Sequence, residues 1–466
     1  MAAAKLRSAA AIAIATAVPA ASAVLPLRRH RAFLIVRLRG SSCRIPPLRG
    51  AAAAMSSSAK AEHEAGAWYA VPGLSLRDHR FAVPLDHSSP DGGAAITVFA
   101  REVVAAGKEE TSLPYLLYLQ GGPGFESPRP MEAGGWLKKA CEDHRVVLLD
   151  QRGTGLSTPL TPSSLSQITS PAKQVEYLKH FRADNIVKDA EFIRLRLVPD
   201  AKPWTVLGQS YGGFCAVTYL SFAPEGLKSV LLTGGLPPLG EPCTAQTVYR
   251  ACFKQVQQQN EKIYLICTIP CYFVQYRLER VWDPVLVPGA KRSISYYFLK
   301  EFDMWLGFDQ NPLYALLHES IYCEGSSSKW SAEKIRAEYE SLFDPVKATE
   351  EGRAVYFTGE MVFPCMFDEI HALRDLKEAA HLLAEKEDWP PLYDVSKLNN
   401  NKVPVAAAVY YEDMYVNFNI AKETASQIAG IRLWVTNEYM HSGIRDGGSH
   451  VFEHLMGLLN GKKPLF

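Results

Sequence analysis

The sequence predicts an α/β protein with a mostly parallel, doubly wound sheet and an inserted helical cap domain. Short, purely apolar runs recur along the chain and end in loops rich in glycine or polar residues, as expected of strands that are covered on both faces. Helix-compatible segments separate several of these runs, and such alternation favours a parallel sheet. From about residue 240 to residue 389 the alternation is absent, which indicates an insertion.

The composition is that of an ordinary globular protein, with 466 residues, 47% hydrophobic and 21% charged. Residues 1–61 contain ten Lys and Arg and no acids, whereas the rest of the chain holds 40 basic and 49 acidic residues. Because this larger part is mildly acidic, we expect no nucleic-acid partner. It also lacks an apolar stretch of about 20 residues, so we expect no membrane span.

The nine cysteines are scattered and odd in number. A chain of this length can bury a core without covalent links, so we expect reduced thiols rather than disulfides. Cys267 and Cys271 lack a second Cys/His pair at zinc spacing, which argues against a metal site. We expect neither a metal nor a cofactor.

The N-terminal segment 1–61 has the composition of an organellar transit peptide, rich in Ala, Ser and Arg. A secretory signal is an alternative, because Ala21-Ser22-Ala23 resembles a cleavage site. A start at Met55 is another, and it would give a cytosolic protein. We expect a plastid or mitochondrial protein, with the cytoplasm as the close alternative, and treat 1–61 as a targeting or disordered segment.

The first part of the core domain is assigned to residues 62–239. Residues 67–104 are predicted to form strands. Two β-rich runs within them, 79–87 and 94–103, are joined into a hairpin by a turn cluster of Pro, Asp and Gly. A continuous apolar run at 115–119 predicts a buried strand. It ends in Gln120-Gly121-Gly122-Pro123-Gly124, where backbone N–H groups can approach a ligand closely.

Further elements follow at the spacing of a doubly wound sheet. A strand is predicted at 145–149, an amphipathic helix at 184–197, and further strands at 204–207 and 228–232. The helical cap is assigned to residues 240–390. The core resumes in residues 391–466, with strands at 403–410 and 431–435 and a closing helix at about 450–459.

Gly208-Gln209-Ser210-Tyr211-Gly212-Gly213 lies between a predicted strand and a predicted helix, which is the context of a nucleophile elbow. The turn is too sharp for flanking side chains, hence the glycines. We expect a strained conformation at Ser210 that exposes its Oγ. The backbone N–H groups of Tyr211 and Gly122 are the predicted oxyanion donors. Cys215 is expected in the core, and its nearness to the elbow suggests sensitivity to thiol reagents.

A serine nucleophile needs an adjacent base that a third group orients. In α/β-hydrolases the order along the chain is Ser, acid, His. Asp413 follows the penultimate predicted strand and His441 follows the last one, where strand ends meet the site. The sequence therefore predicts the triad Ser210, Asp413 and His441. The alternatives are a neighbouring acid and two histidines of the closing helix: Glu412, His450 and His454.

These motifs together resemble the prolyl aminopeptidases (proline iminopeptidases), serine peptidases with an α/β-hydrolase fold and a helical cap. The resemblance rests on GGPG at 121–124, DQRGTGLS at 150–157, GQSYGG at 208–213, YEDMYV at 411–416 and NEYMHSG at 437–443. It covers the chain from about Gly66 onward. It implies acyl-enzyme release of N-terminal proline from peptides. Many relatives have His where this chain has Gln120, a position that shapes the loop rather than supplying catalysis.

The resemblance also implies an apolar pocket for the proline ring and cap carboxylates that bind the free α-amine. Glu319 and Glu360 are the cap acids in aromatic, apolar surroundings, and each is equally compatible with a structural ion pair. An esterase or another acyl hydrolase stays an alternative, as does a non-catalytic receptor on the same fold. An epoxide hydrolase would need Asp at the elbow. The sequence leaves peptide length, tolerance for hydroxyproline or alanine, and oligomeric state open.

Overall fold

A computed structural model of the protein describes residues 62–90, 93–240, 243–266, 308, 310–353, 356 and 358–462. Residues 1–61, which are predicted to be a targeting or disordered segment, lie outside the described residues, as do Cys267 and Cys271. The predictions made for them stay predictions.

A nine-stranded sheet forms the centre of the protein, in the order β1-β2-β3-β5-β4-β6-β7-β8-β9. The first three strands run antiparallel, β3 pairs antiparallel with β5, and all remaining pairs are parallel. This topology confirms the predicted fold class. The strands are β1 (His63–Val71), β2 (Leu74–Pro84), β3 (Ala95–Ala105), β4 (Tyr115–Leu119), β5 (Arg145–Leu149), β6 (Trp204–Gln209), β7 (Leu227–Thr233), β8 (Val405–Tyr410) and β9 (Ile431–Thr436).

Helices cover both faces of this sheet. On one face α4 and α5 bury apolar side chains against β4, β6 and β7, and on the other α1 and α16 pack together. Within the described residues the α-helices are α1 (Gly135–Asp143), α2 (Pro162–Ser166), α3 (Pro171–Leu178), α4 (Ala183–Leu197), α5 (Tyr211–Phe222), α6 (Ala245–Ile266), α7 (Pro312–Leu317), α8 (Ser331–Glu338), α9 (Glu340–Phe343), α10 (Pro345–Glu350), α11 (Met366–Glu369), α12 (Lys377–Glu385), α13 (Val395–Asn399), α14 (Phe418–Ser426), α15 (Gly443–Asp446) and α16 (Gly448–Leu459).

The antiparallel edge contains one strand more than the predicted hairpin. β1 pairs with β2, and most of its residues are exposed or only partly buried. An edge strand of this kind carries little of the continuous apolar signal that marks the central strands.

The segment between β7 and β8 contains helices and short 3-10 turns, and its described residues include no strand. The boundaries of the cap at 240 and 390 stay a prediction. Among the described helices, none combines the length and the apolar composition that crossing a bilayer requires.

The cap is tied to the core through Arg182, which is fully buried. Its Nη1 donates to the carbonyl oxygens of Ser320 and Cys323 at 2.8 and 2.6 Å, and its Nη2 donates to that of Pro390 at 2.8 Å. The guanidinium also lies 4.4 Å from the ring centroid of Trp389. One core side chain therefore holds both the Ser320–Tyr322 turn and the end of the cap segment.

Candidate active site

Ser210 lies between the end of β6 and the start of α5, with φ 53° and ψ −123°. A positive φ costs a non-glycine residue on the order of 1–3 kcal/mol. The surrounding backbone holds the conformation, because Ser210 N–H donates to Thr233 O at 3.0 Å and Gly213 N–H donates to Ser210 O at 2.7 Å. The strained turn predicted from the sequence is present.

The glycines around Ser210 are required by the close approach of backbone segments. A Cβ on Gly212 would lie 2.0 Å from the carbonyl oxygen of Leu119, at the end of β4. A Cβ on Gly213 would lie 2.4 Å from the carbonyl oxygen of Gly235, after β7. The helix can begin directly above the strand ends only because these side chains are absent.

Three side chains from separate parts of the chain form one hydrogen-bonded row. His441 Nε2 lies 2.8 Å from Ser210 Oγ, and His441 Nδ1 lies 2.8 Å from Asp413 Oδ2. Asp413 comes just after β8 and His441 just after β9, so the parallel sheet brings both to the edge where β6 ends. A serine in such a row can transfer its proton to the imidazole as it attacks a carbonyl carbon.

The carboxylate of Asp413 is itself held by the backbone. Its Oδ1 accepts the N–H groups of Tyr415 and Val416 at 2.8 and 3.0 Å, and the residue is only 1% exposed. Oδ2 is therefore aimed at His441, whose Nδ1–H donates to it. This fixes the tautomer in which Nε2 has a free lone pair for the Ser210 hydroxyl.

The imidazole of His441 lies in a negative field. Burial acts to lower its pKa, but the Asp413 carboxylate and the charge of Glu360 outweigh burial, so the pKa lies above its ordinary value. The base is therefore neutral and competent on the alkaline side of that raised pKa.

The loop at 120–124 lies directly beside Ser210. A Cβ on Gly121 would be 3.0 Å from Ser210 Cβ, and Gly122 has φ 144°. The side chain of Gln120 braces the loop, because its Oε1 accepts Gly121 N–H at 3.1 Å and its Nε2 donates to Glu126 O at 3.2 Å. Tyr211 is the first residue of α5, so its N–H has no acceptor within the helix.

The alternative residues have other partners. Glu412 Oε2 accepts a hydrogen bond from Gln259 Nε2 at 3.3 Å. His454 stacks on Trp434 at 3.8 Å between ring centroids, and His450 Nδ1 lies 3.0 Å from the hydroxyl of Tyr439. The imidazole that is hydrogen-bonded to both Ser210 and Asp413 is that of His441.

The two cap acids have different surroundings. Glu319 is 7% exposed, and its Oε1 accepts the N–H of Ala332 in the first turn of α8 at 2.9 Å. Burial raises its pKa. Burial raises the pKa of Glu360 to about 7, and the charges of His441 and Asp413 also act on its titration.

Two residues near Glu360 were missed by the sequence analysis. The hydroxyl of Tyr314 donates to Glu360 Oε2 at 2.6 Å, and His318 Nε2 lies 4.0 Å from Glu360 Oε1. Tyr314 and His318 are four residues apart, and their ring centroids are 4.9 Å apart on α7 and its C-cap. Residues four apart on a helix lie on the same face, so this spacing could have predicted that Tyr314 and His318 are neighbours. It gives no indication that both lie beside Glu360.

Cys215 is fully buried in α5, and burial raises the pKa of its thiol. The described cysteines carry free thiols: Cys141, Cys215, Cys243, Cys252, Cys323 and Cys365. Because reactivity requires the thiolate and access to reagent, Cys215 has neither property of a reactive cysteine.

Comparison with known proteins adds an independent line of evidence. Residues 114–267 match the family model described as the alpha/beta hydrolase fold. A proline iminopeptidase of Aeromonas sobria is 44% identical over 426 residues, which span 84% of this chain and 98% of that protein. Proline iminopeptidase aneH of Aspergillus aculeatus is 35% identical over 423 residues, 81% of this chain and 92% of its own.

Among solved structures, Rv0554 of Mycobacterium tuberculosis aligns with 83% of this chain and 100% of its own, at 13% identity and a TM-score of 0.40. A likeness at that level carries no argument about the reaction.

Proposed function

The chain belongs to the proline iminopeptidase family, and from that premise we propose that it is a serine aminopeptidase that releases N-terminal proline from peptides. The observation that carries the proposal is the hydrogen-bonded row from Ser210 through His441 to Asp413, with a positive φ at the serine. Family membership indicates which substrates are cleaved, namely peptides with an N-terminal proline. The hydrogen-bonded row supports the reaction type, nucleophilic attack by a serine on a carbonyl carbon.

In the proposed reaction, Ser210 Oγ attacks the carbonyl carbon of the N-terminal proline while His441 Nε2 takes the hydroxyl proton. The tetrahedral intermediate collapses as His441 returns that proton to the leaving amine, which breaks the peptide bond and leaves a prolyl ester on Ser210. A water molecule then attacks the ester with His441 again as base, and free proline departs. Asp413 stabilises the imidazolium in both steps.

The oxyanion in both steps is assigned to the backbone N–H groups of Tyr211 and Gly122. The first lies at the N-terminus of α5, where the helix dipole adds a favourable field. Loss of one donor of this kind costs on the order of 3 kcal/mol of transition-state stabilisation. The brace from Gln120 to Gly121 supports a loop that is ordered before substrate binds.

We assign recognition of the free α-amine to Glu360. The charges of Asp413 and His441 act on its titration, and this supports pairing of the Glu360 carboxylate with the amine of the residue whose carbonyl faces Ser210. Glu319 is instead assigned a structural role, since one carboxylate oxygen accepts the Ala332 N–H at the start of α8.

A panel of aminoacyl 4-nitroanilides tests the proposal. The protein should hydrolyse the proline compound far better than the alanine and leucine compounds, and Ser210→Ala should abolish turnover while the thermal unfolding midpoint changes little. Equal rates across the panel, or faster cleavage of short acyl esters than of any amine-bearing substrate, would favour a general esterase. Ligand binding without turnover in the unmodified protein would favour a receptor.

Glu360→Gln and Glu319→Gln form a matched pair for the amine site. Glu360→Gln should raise KM for proline 4-nitroanilide, because the amide carries no charge to pair with the substrate amine. Glu319→Gln should lower the unfolding midpoint and leave KM unchanged. The reverse result would exchange the two assignments.

A further inference from the structure

The Glu360 carboxylate is enclosed by side chains of the cap. One oxygen accepts the hydroxyl proton of Tyr314 at 2.6 Å, and the other lies 4.0 Å from His318 Nε2. The side chain is still 28% exposed, so one side remains open to an incoming group. Its orientation is therefore set by α7, on which Tyr314 lies.

We propose that Tyr314 is a positioning residue that holds Glu360 in the orientation in which it receives the amine of the substrate, and that His318 fills the space beside the other carboxylate oxygen without a charge. This inference rests on the amine role that is proposed above for Glu360. It adds residues that do not touch the scissile bond but determine how well the amine end of a substrate is bound.

The helix that carries Tyr314 also touches the loop beside Ser210. The side chain of Asn311 caps α7, and a Cβ on Gly124 would lie 2.1 Å from Asn311 Oδ1. The ring of Tyr314 packs against Phe125, with 5.7 Å between centroids. Because α7 contacts the 120–124 loop and Glu360 at once, it fixes the distance between the amine site and the serine.

His318 is suited to its place because it carries no charge there. It is 4% exposed, and burial lowers its pKa to about 3. Its ring stacks on that of Tyr249 at 5.4 Å, and the Tyr249 hydroxyl hydrogen-bonds to Nδ1. A lysine or arginine in this position would neutralise Glu360, whereas a neutral imidazole leaves the carboxylate charge for the amine of the substrate.

No Lys or Arg among the described residues forms an ion pair with Glu360, since the basic side chain recorded within 4 Å is that of His318. Burial and the Asp413 charge raise the pKa of Glu360, while the Tyr314 hydrogen bond and His441 lower it. Tyr314 and His318 lie beside Glu360. The other titratable groups of the cap and the core that interact electrostatically with it are Tyr249, Tyr322, Cys252, His441 and Asp413.

The direction of the effect follows from this balance. The Tyr314 hydroxyl stabilises the charged carboxylate, so Tyr314→Phe should raise the pKa of Glu360 further. The amine of a substrate binds the charged carboxylate. As the pH is lowered, the carboxylate of the variant is protonated earlier, so KM begins to rise at a higher pH than in the unmodified protein. Free α-amines titrate at roughly pH 7.7–8.0. Pairing therefore requires a pH at which the Glu360 carboxylate is charged and the substrate amine is still protonated.

The experiment compares two substrates over pH 5.5 to 8.5, roughly the span in which His and a raised Glu titrate. Proline 4-nitroanilide has an amine, whereas 4-nitrophenyl acetate has none and does not need the amine site. Tyr314→Phe should raise KM for the anilide about three- to tenfold, with the acid limb of its kcat/KM displaced to higher pH. The profile for the acetate should not move to higher pH, because a neutral Glu360 no longer raises the pKa of His441.

The matched control is Tyr339→Phe, which removes a hydroxyl elsewhere in the cap, where the ring stacks on Phe253 at 5.9 Å. His318→Asn is the second variant. Its shorter amide can keep the hydrogen bond to Tyr249 but no longer fills the space beside Glu360, so it should also raise KM for the anilide. Unfolding midpoints for all variants establish that they are folded.

The outcomes separate the two proposals. If Glu360→Gln raises KM while Tyr314→Phe and His318→Asn behave like Tyr339→Phe, the positioning inference is overturned and the amine role of Glu360 stands. If Glu360→Gln has no effect on KM, both fall. A loss of kcat that is equal for anilide and acetate would also overturn the inference, because it would indicate general damage to the site.

Discussion

Replacing Asp413 by Asn removes one charge from the hydrogen-bonded row while it keeps the shape of the side chain. In the protein, Oδ1 accepts two backbone N–H groups and Oδ2 faces His441 Nδ1. The asparagine oxygen is expected to take the Oδ1 position, because the backbone offers donors there. The amide NH2 then faces His441 and donates to Nδ1, which forces the ring proton onto Nε2.

The magnitude follows from the two backbone bonds. If the amide were turned round, its NH2 group would face the two backbone N–H groups and both hydrogen bonds would be lost. At roughly 1 kcal/mol for each bond, this orientation costs about 2 kcal/mol. A difference of about 2 kcal/mol leaves only a few per cent of His441 in the productive tautomer, with the proton on Nδ1. The change of tautomer alone therefore lowers kcat by about 30-fold. Loss of the negative charge that stabilises the imidazolium extends the decrease to about 10⁴-fold, the range found for triads in general.

The assay is kcat for proline 4-nitroanilide as a function of pH, with Asp394→Asn as the control. Asp394 is the N-cap of α13, where Asn caps as well as Asp, so this variant should keep full activity. In Asp413→Asn the pKa of His441 loses a cause that raises it, and the acid limb of any residual activity should move to lower pH. A loss of less than tenfold, or an unmoved acid limb, would refute the assigned role of Asp413.

Three further predictions follow from packing. Gly212→Ala should destabilise the protein by more than about 4 kcal/mol, because the new Cβ meets a carbonyl oxygen at 2.0 Å, whereas Gly134→Ala, with no atom within 4 Å, should behave as the unmodified protein in thermal unfolding. Arg182→Met should cost about 3 kcal/mol, since three backbone carbonyls lose a charged donor, and an unchanged denaturant midpoint would contradict the tie between core and cap. Peptide mapping after iodoacetamide should find Cys215 alkylated only in unfolded protein, with the partly exposed Cys365 labelled in the native state. Labelling of native Cys215 would show that the buried thiol is accessible.

The central strands could be predicted from sequence because both faces are covered. The predicted runs at 115–119 and 145–149 coincide with β4 and β5, since every position along them is apolar or buried. The edge strand β1 was covered only in part by the general strand prediction for residues 67–104 and was not separated from the hairpin, because an exposed strand tolerates polar residues at most positions. The nucleophile elbow was predictable for another reason, since its glycines are required by local backbone geometry.

The choice between the cap acids could not be made from sequence. Glu319 and Glu360 have similar apolar neighbours along the chain, and the difference between them lies in tertiary partners. Glu319 meets a backbone N–H of α8, whereas Glu360 meets Tyr314 from α7 and the field of the triad. Tyr314 and Glu360 are more than 40 residues apart in the chain. A contact of this kind produces no periodic pattern in the sequence, so it cannot be predicted from one sequence.

The most direct test of the account is to identify the covalent intermediate. The protein is mixed with proline 4-nitrophenyl ester, quenched in acid before the steady state, digested and mapped by mass spectrometry. The account predicts one prolyl group on the peptide that carries Ser210, and none in Ser210→Ala. A prolyl group on another residue, or an adduct that persists in Ser210→Ala, would contradict the assignment of Ser210 as the nucleophile.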